Sequence, residues 1–424
     1  MVDYLPRIVD GELNELGAGL AALSIEGPKG VGKTATAQRR ARTMFALDEP
    51  EQRDLLAADP ARLDRASPPV LVDEWQRYPV VWDLVRRSVD RDPSPGRFLL
   101  TGSATPVSAP SHSGAGRIVR VRMRPMTLAE RLPGIATVSL HDLLSGSSGR
   151  TDGETDLDLP GYTEELLRSG FPAIRAMPAT ARRAQLNGYL DRIVEYDFPG
   201  QGYLVRRPAT LRAWLTAYAA ATGTAAAYAV ILDAATAGDG DKPAKTTTMA
   251  YRDVLNQIWL LDPVPGWLPS RSHLSRLAQA PKHHLADPAL AARLLGVGAG
   301  SLLSGSQHGP AIPRDGTLLG ALFESLIALN LRVYAQASEA SVHHLRTRNG
   351  DHEVDFIIER DDRRVVALEV KLSTTVTDSD VTHLRWLRDA IGDDLIDAAV
   401  ITTGRYAYRR ADGIAVIPAA LLGP

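Results

Sequence analysis

Residues 27–34 read Gly27-Pro28-Lys29-Gly30-Val31-Gly32-Lys33-Thr34, a complete G-x-x-x-x-G-K-[S/T] loop, and this segment constrains the chain more than any other. It lies between the short apolar run Leu20–Ile25 and the stretch Thr34–Met44, which has no proline or glycine. The spacing therefore predicts strand, loop and helix in succession. In that setting glycines let backbone N–H groups converge on phosphate oxygens, the lysine reaches the outer phosphates, and the threonine hydroxyl completes a Mg²⁺ shell. The helix N-terminus adds partial positive charge. The expectation is a nucleotide-binding protein whose phosphate-binding set is Gly27, Pro28, Lys29, Gly30, Val31, Gly32, Lys33 and Thr34.

A chain of 424 residues suggests two or three domains, and 44% hydrophobic residues are ample to bury their cores. With no cysteine, disulfides and thiolate zinc sites are excluded. The N-terminus lacks a basic segment followed by an apolar one, and no apolar stretch reads as long enough to span a membrane, so a cytoplasmic protein without a membrane partner is expected. The net charge of −2 means that any nucleic-acid binding must use a local patch. Only 6 of the 48 basic residues are lysine. Where arginine normally supplies the positive charge, a lysine is more often chemically required. Lys29 and Lys33 lie in the phosphate loop and Lys371 in a second motif, whereas Lys242, Lys245 and Lys282 have no evident role.

Residues 1–138 alternate short apolar runs with helical stretches, the pattern of a parallel sheet covered by helices. Further strands are expected near Met44–Leu47, Val70–Asp73, Phe98–Thr101 and Ile118–Met123. Residues 139–160 read as a linker, exposed around the Ser/Gly-rich and acidic stretch Ser145–Glu154. Residues 161–280 read as mainly helical, with Gly238–Pro243 as a spacer, Lys245–Thr248 as an N-cap for a helix Met249–Leu260, and a hairpin within Leu260–Trp267. That order suggests a winged-helix unit. Residues 281–424 alternate strands and helices, with strands at Val342–Arg346, Glu353–Glu359, Val365–Lys371 and Ala398–Thr402.

Val70-Leu71-Val72-Asp73-Glu74 is an apolar strand ending in two acids. After a phosphate loop, Asp73 is placed to hold Mg²⁺ through water and Glu74 to polarise the water that attacks the terminal phosphate, which favours hydrolysis over phosphoryl transfer. Thr101 and Ser103 end the next strand and either report on the terminal phosphate or are ordinary loop residues. Arg117 either completes a neighbouring subunit's site, which requires a homo-oligomer, or is a surface arginine.

In the last third, Glu324 falls on a helical stretch, Asp355 within a strand, and Glu369-Val370-Lys371 at the end of the next strand. This arrangement resembles the PD-(D/E)xK nuclease fold. Asp355 and Glu369 would share Mg²⁺ or Mn²⁺, Lys371 would orient water, and Glu324 would add an outer carboxylate. The alternative is a charge network that holds an inactive nuclease-like fold together. The adjacent pairs His283-His284 and His343-His344 suit no chelate and read as ordinary histidines. Arg182-Arg183 and Arg206-Arg207 are candidates for phosphate contact, while 6% aromatic residues offer little for stacking bases.

Taken together, Gly27–Thr34, Leu47-Asp48-Glu49-Pro50, Val70–Gln76, Leu99–Ser103, Ala115-Gly116-Arg117 and Gly170-Phe171-Pro172 resemble a family of bacterial AAA-type ATPases with a C-terminal domain of unknown function. The resemblance implies an α/β protein: an AAA-type P-loop parallel-sheet core, a helical, winged-helix-like middle region and a C-terminal α/β restriction-endonuclease-like domain. With the phosphate loop and the Asp73-Glu74 strand, the expected ligands are ATP and Mg²⁺ and the expected activity ATP hydrolysis, with DNA or an unidentified protein as the candidate partner. The C-terminal module is then either a nuclease gated by ATP or the recognition part of an ATP-dependent signalling switch.

Overall fold

A computed structural model describes residues 4–104, 113–146, 151–203, 207–236, 245–268, 280–304, 318–347 and 350–424. The N-terminal apolar runs form β1 (Ala22–Glu26), β2 (Thr43–Ala46), β3 (Val70–Asp73), β4 (Phe98–Gly102) and β5 (Val119–Arg122), all parallel and in the order β2-β3-β4-β1-β5. Every residue of β1, β3 and β4 is buried, because helices cover both faces of a parallel sheet. The carboxyl ends of these three strands share one edge, so the segments that follow them meet in one crevice. Helix α1 (Val9–Gly19) packs beside β1, and α2 (Lys33–Gln38) follows the phosphate loop. Helix α3 (Val80–Arg91) buries Val81, Trp82, Val85 and Val89, a stripe at helical spacing.

Helix α2 is shorter than the composition of Thr34–Met44 predicts. It stops at Gln38 because the next residues are claimed by the sheet: the Arg42 amide donates to the Pro69 carbonyl at 2.9 Å, and Thr43–Ala46 pairs with Val70–Asp73. Tertiary pairing of a β-prone Thr-Met-Phe run outweighs its weak helix propensity.

The segment expected to be a bare linker is largely structured. It contains β6 (Val138–Ser139), α4 (Leu140–Ser145), which buries Leu140, Leu143 and Leu144, and β7 (Gly153–Glu154); residues 147–150 lie outside the described residues. The middle region holds α5 (Leu159–Arg168), α6 (Ala179–Arg192), α7 (Pro208–Ala220), α8 (Tyr228–Ala235) and α9 (Lys245–Gln257). Lys245–Thr248 thus forms the first turn of α9 rather than its cap, and the Gly238–Pro243 spacer lies outside the described residues.

The expected local hairpin at Leu260–Trp267 does not form. Leu261 and Val264 bridge antiparallel to Leu285 and Lys282, and β8 (Gly266–Trp267) leaves to join the C-terminal sheet. Pro263 and Pro265 have no N–H to donate, so this stretch cannot sustain a continuous ladder. Helix α10 (Pro288–Leu294) closes the region, its N-terminus capped by Asp287.

The C-terminal part opens with α11 (Leu318–Ala337) and continues through β9 (Ser341–Arg346), β10 (Glu353–Glu359), β11 (Val365–Val370), α12 (Thr382–Ile391), β12 (Leu395–Thr402), β13 (Tyr406–Arg409), β14 (Ala415–Pro418) and β15 (Leu422–Gly423). The sheet order is β7-β13-β14-β12-β11-β10-β9-β8, antiparallel across β9, β10 and β11 and parallel across β11, β12 and β14. Both of its edge strands, β7 and β8, come from earlier parts of the chain, and β6 pairs with β15. The protein is therefore mixed α/β with a parallel-sheet core, as the sequence implies.

Helix α11 corrects the expectation about apolar stretches. Among the described residues it alone is long and apolar enough to cross a membrane, but it is mostly buried in the fold, with Leu322, Phe323, Leu326 and Leu331 in the core. It also reaches the N-terminal domain: Asn330 Oδ1 accepts from the Leu128 amide at 3.0 Å, and the Tyr334 hydroxyl accepts from the Ala129 amide at 3.3 Å.

Beside these contacts lies a buried ionic junction. Asp262 accepts from Arg124 Nε at 2.7 Å and pairs with Arg332 Nη2 at 3.2 Å. Burial alone would raise its pKa, but Arg124, Arg332 and Arg122 together hold the carboxyl well below the usual range. Removing one member of a buried pair strands the others, at a cost of about 3–5 kcal/mol. Asp262→Ala should lose stability on that scale in urea denaturation. A depressed folded pKa contributes stability above the unfolded value that is lost as pH falls. Wild-type stability should therefore decline below about pH 4, and the Asp262→Ala protein should decline less steeply.

Candidate functional site

The phosphate loop leaves β1 at Gly27, where a Cβ would stand 2.1 Å from the Met123 carbonyl oxygen, so only glycine fits. Gly30 and Gly32 take φ of 82° and 101°, left-handed conformations that turn successive N–H groups inward. Lys33 is buried, and its Nζ donates to the Gly27 and Pro28 carbonyls at 2.8 and 2.9 Å. Burial lowers its pKa to about 8 against the opposing pull of Glu74 and Asp73.

Thr34 Oγ1 donates to Asp73 Oδ1 at 2.9 Å, and Thr101 Oγ1 donates to the same oxygen. Glu74 follows directly, with φ of 51°, a conformation uncommon for any residue but glycine. Its Oε2 accepts from Ser103 Oγ at 3.2 Å and from Gln76 Nε2, which also donates to Ser103 Oγ at 3.2 Å. The structure thus gathers Lys33, Thr34, Asp73, Glu74, Thr101 and Ser103 into one site. Gln76 belongs to it and was not anticipated.

Other partners of the loop are also invisible in the motif. Arg7 is buried, donating to the Val31 carbonyl at 2.8 Å, to the Arg124 carbonyl at 2.8 Å and to Glu130 at 3.0 Å. Phe171 and Pro172 of Gly170-Phe171-Pro172 pack beneath Gly30 and Gly32. At the loop's crest Lys29 pairs with Asp197, and the Lys29 carbonyl accepts from the Tyr189 hydroxyl at 3.2 Å. A cleft of about 510 Å³ lies between the two walls, with Glu74, Gln76 and Ser103 on one side and Tyr189, Arg192 and Asp197 on the other. Arg192, which stacks on Tyr196 at 5.1 Å, is the basic residue that the middle region brings to this cleft.

Arg117 is not part of this cluster. It precedes β5, at the opposite end of the sheet from the loop, and pairs with Asp90 at 2.8 Å on the surface. Arg182 is buried beside Glu164 at 3.0 Å, Arg183 is exposed, Arg207 is exposed at the start of α7, and Arg206 lies outside the described residues. His283, His284 and His344 are buried, and burial lowers the pKa of each.

The C-terminal charges do converge, around a residue to which the sequence assigned nothing. Lys282 Nζ lies 2.9 Å from Asp355 Oδ1, 3.1 Å from Glu324 Oε1 and 3.1 Å from Glu353 Oε1. Asp355 Oδ2 accepts from the Val370 amide at 3.0 Å, and Lys371 Nζ donates to Glu369 Oε2 at 3.0 Å. Burial alone would discharge Lys282, but Asp355, Glu324 and Glu353 keep its pKa above the ordinary lysine value. Burial and the nearby Asp355 charge raise Glu324 to about 8 and push Glu369 well above the carboxylate range. Among the described residues no group of three His, Cys, Asp or Glu side chains is arranged to hold a metal ion. Of the two acids expected to share a metal, Asp355 is engaged by the Lys282 ammonium and Glu369 by Lys371.

Comparison with known proteins agrees with the geometry at the N-terminal site. Residues 21–132 match the family described as an AAA domain, and residues 159–301 and 319–422 match two families described as domains of unknown function, DUF8612 and DUF4143. Uncharacterized proteins of Mycobacterium bovis and Mycobacterium tuberculosis are each 26% identical over 405 residues, covering 93% of this chain and 79% of theirs. Two solved structures resemble the chain distantly. The Walker-type ATPase PABY2304 of Pyrococcus abyssi is 15% identical, with a TM-score of 0.38, covering 69% of this chain and 96% of its own. The ORC2 protein of Aeropyrum pernix, solved as ADPNP–ADP complexes, is 16% identical, with a TM-score of 0.28, covering 77% and 97%.

The AAA-domain match and the assembled loop support a P-loop NTPase that binds and hydrolyses nucleotide. Because the Lys33 pKa is lowered to about 8, the free protein should take up a proton when phosphate arrives at or above that pH. Calorimetric titration with ATP in buffers of different ionisation enthalpy should show proton uptake that grows from pH 7 to pH 9 and disappears in Lys33→Arg.

Proposed function

We propose that the chain is a Mg²⁺-dependent ATPase whose nucleotide state is passed to the middle region and, through α11, to the C-terminal domain. The observation that carries this reading is the convergence of Thr34 and Thr101 on one oxygen of Asp73, with Glu74 in the next position. Thr34 and Asp73 fit a Mg²⁺ site, since a hydroxyl and a carboxylate already hydrogen-bonded to each other supply hard oxygen donors beside the lysine. Mg²⁺ there would neutralise charge on the phosphates. Lys33 exchanges two backbone carbonyls for phosphate oxygens, and Glu74, released from Ser103 and Gln76, orients and polarises the attacking water. Arg192 faces the same cleft from the middle region and supplies positive charge near the terminal phosphate.

Coupling follows from what touches the loop. Nucleotide that displaces the Lys29–Asp197 pair, or shifts the loop on Phe171 and Pro172, moves the middle region against the core. Arg117, on the far edge, is suited to a neighbouring chain's site rather than to its own, which makes a homo-oligomer part of this reading. The C-terminal domain is read as a PD-(D/E)xK nuclease-like module, supported by three antiparallel strands, a helix and a parallel strand with Asp355, Glu369 and Lys371 gathered on them. Of its two roles, ATP-gated cleavage of DNA and recognition of a protein partner by an inactive scaffold, the ammonium among the carboxylates favours the second.

Lys33→Ala should abolish ATP binding, measured by calorimetry. Glu74→Gln should bind ATP normally while its turnover, measured as phosphate release, falls by about 10²–10⁴-fold. Full turnover by Glu74→Gln would remove Glu74 from the role of water-polarising base.

A further inference from the structure

We propose that Lys282 is the resident cation of the C-terminal carboxylate cluster: its ammonium engages Asp355, one of the two acids expected to share a divalent metal, and so closes the nuclease-like site of this chain. The proposal rests on reading the C-terminal domain as nuclease-like, and it explains what that site became.

An ammonium has three N–H donors, and Lys282 Nζ meets three carboxylates, Glu324, Glu353 and Asp355, all within 3.1 Å. It donates to Glu324 and Asp355 and forms an ion pair with Glu353, while the other Asp355 oxygen accepts from the Val370 amide, so both oxygens of Asp355 are engaged. A divalent ion bound to the same oxygens needs contacts of roughly 2.0–2.6 Å and so overlaps the volume of Nζ. The two cations are mutually exclusive. The lysine side chain is 2% exposed, whereas Glu324 and Asp355 are each 15% exposed and Glu353 is 38% exposed. Solvent ions thus reach the acids, but the centre is taken.

The backbone delivers the lysine by construction. Lys282 exchanges both of its main-chain hydrogen bonds with Val264 at 2.9 Å, and the neighbouring His283 donates to the Thr224 carbonyl at 2.9 Å and accepts from the Gly223 amide at 3.0 Å. Gly223 in turn packs against Glu324, where a Cβ would lie 3.3 Å from Oε2. The lysine is thus carried on a segment pinned on both sides by the middle region, and it ties that region to α11 and β10. A second ammonium, Lys371, pairs with Glu369, so two lysines stand among four acids.

The test is Mn²⁺ binding to the full chain without nucleotide, followed by electron paramagnetic resonance, for wild type, Asp355→Asn, Lys282→Met and Lys282→Met/Asp355→Asn. Wild type should show no Mn²⁺ site that depends on Asp355. Lys282→Met should gain one such site per chain, and Asp355→Asn in that background should weaken it by about tenfold or more. An Asp355-dependent Mn²⁺ site in wild type overturns the proposal, and this comparison stands even if Lys282→Met fails to fold. A folded Lys282→Met protein, judged by its cooperative melt, that gains no site also overturns it. ATP turnover, measured in parallel, should persist in Lys282→Met. Its absence from wild type would defeat the ATPase reading without touching this one.

Discussion

A buried carboxylate stays ionised only if cations reach it, and Asp262 depends on arginines from two distant stretches of chain. Arg124 follows the last strand of the parallel sheet and Arg332 lies on α11, so the ion cluster cannot form unless the N-terminal core, the middle region and the C-terminal helix are docked together. The desolvation of four charged groups is offset only by that docking. The junction also sits one residue from Met123, whose amide binds the end of β1 and whose carbonyl walls the first glycine of the phosphate loop. The loop and the junction thus share a hydrogen-bonded stretch of backbone.

Two buried lysines show how surroundings set the character of one residue type. Lys33 and Lys282 are both nearly inaccessible, yet burial lowers the pKa of the first to about 8, while carboxylates hold the second above the ordinary value. Lys33 faces carbonyl dipoles, a weak substitute for an anion, and so keeps its affinity for phosphate in reserve. Lys282 instead meets three acidic side chains, donating to Glu324 and Asp355 and pairing with Glu353. The difference lies in what surrounds each ammonium, neutral carbonyls in the first case and acids in the second.

Glu74 illustrates a related economy. Its left-handed backbone conformation and its hydrogen bonds with Ser103 and Gln76 hold the carboxylate in the cleft. Strain of this kind persists where the surrounding structure over-determines it. Here β3, β4 and the paired Trp75 and Trp82 rings, 4.6 Å apart, provide that support.

What the sequence by itself determined is whatever a few consecutive residues can specify. The phosphate loop, the strand ending in Asp73-Glu74, the strands of the N-terminal sheet, β9 to β12 of the C-terminal one and the gathering of Asp355, Glu369 and Lys371 follow from local spacing, because strand and loop geometry fix those side chains relative to their neighbours. Lys282 had no evident role in the sequence because no pattern near it names a partner: Glu324 lies 42 residues away and Asp355 lies 73 away. Only the tertiary structure decided that helix α2 would stop at Gln38 to release an edge strand, that the supposed linker would join the C-terminal sheet, and that Arg7 would brace the phosphate loop. It alone decided, too, that Lys282 would pair with Asp355, an acid expected to hold a metal. Each of these depends on a partner distant in sequence, and the energy of such a contact is available only once the chain has brought the two together.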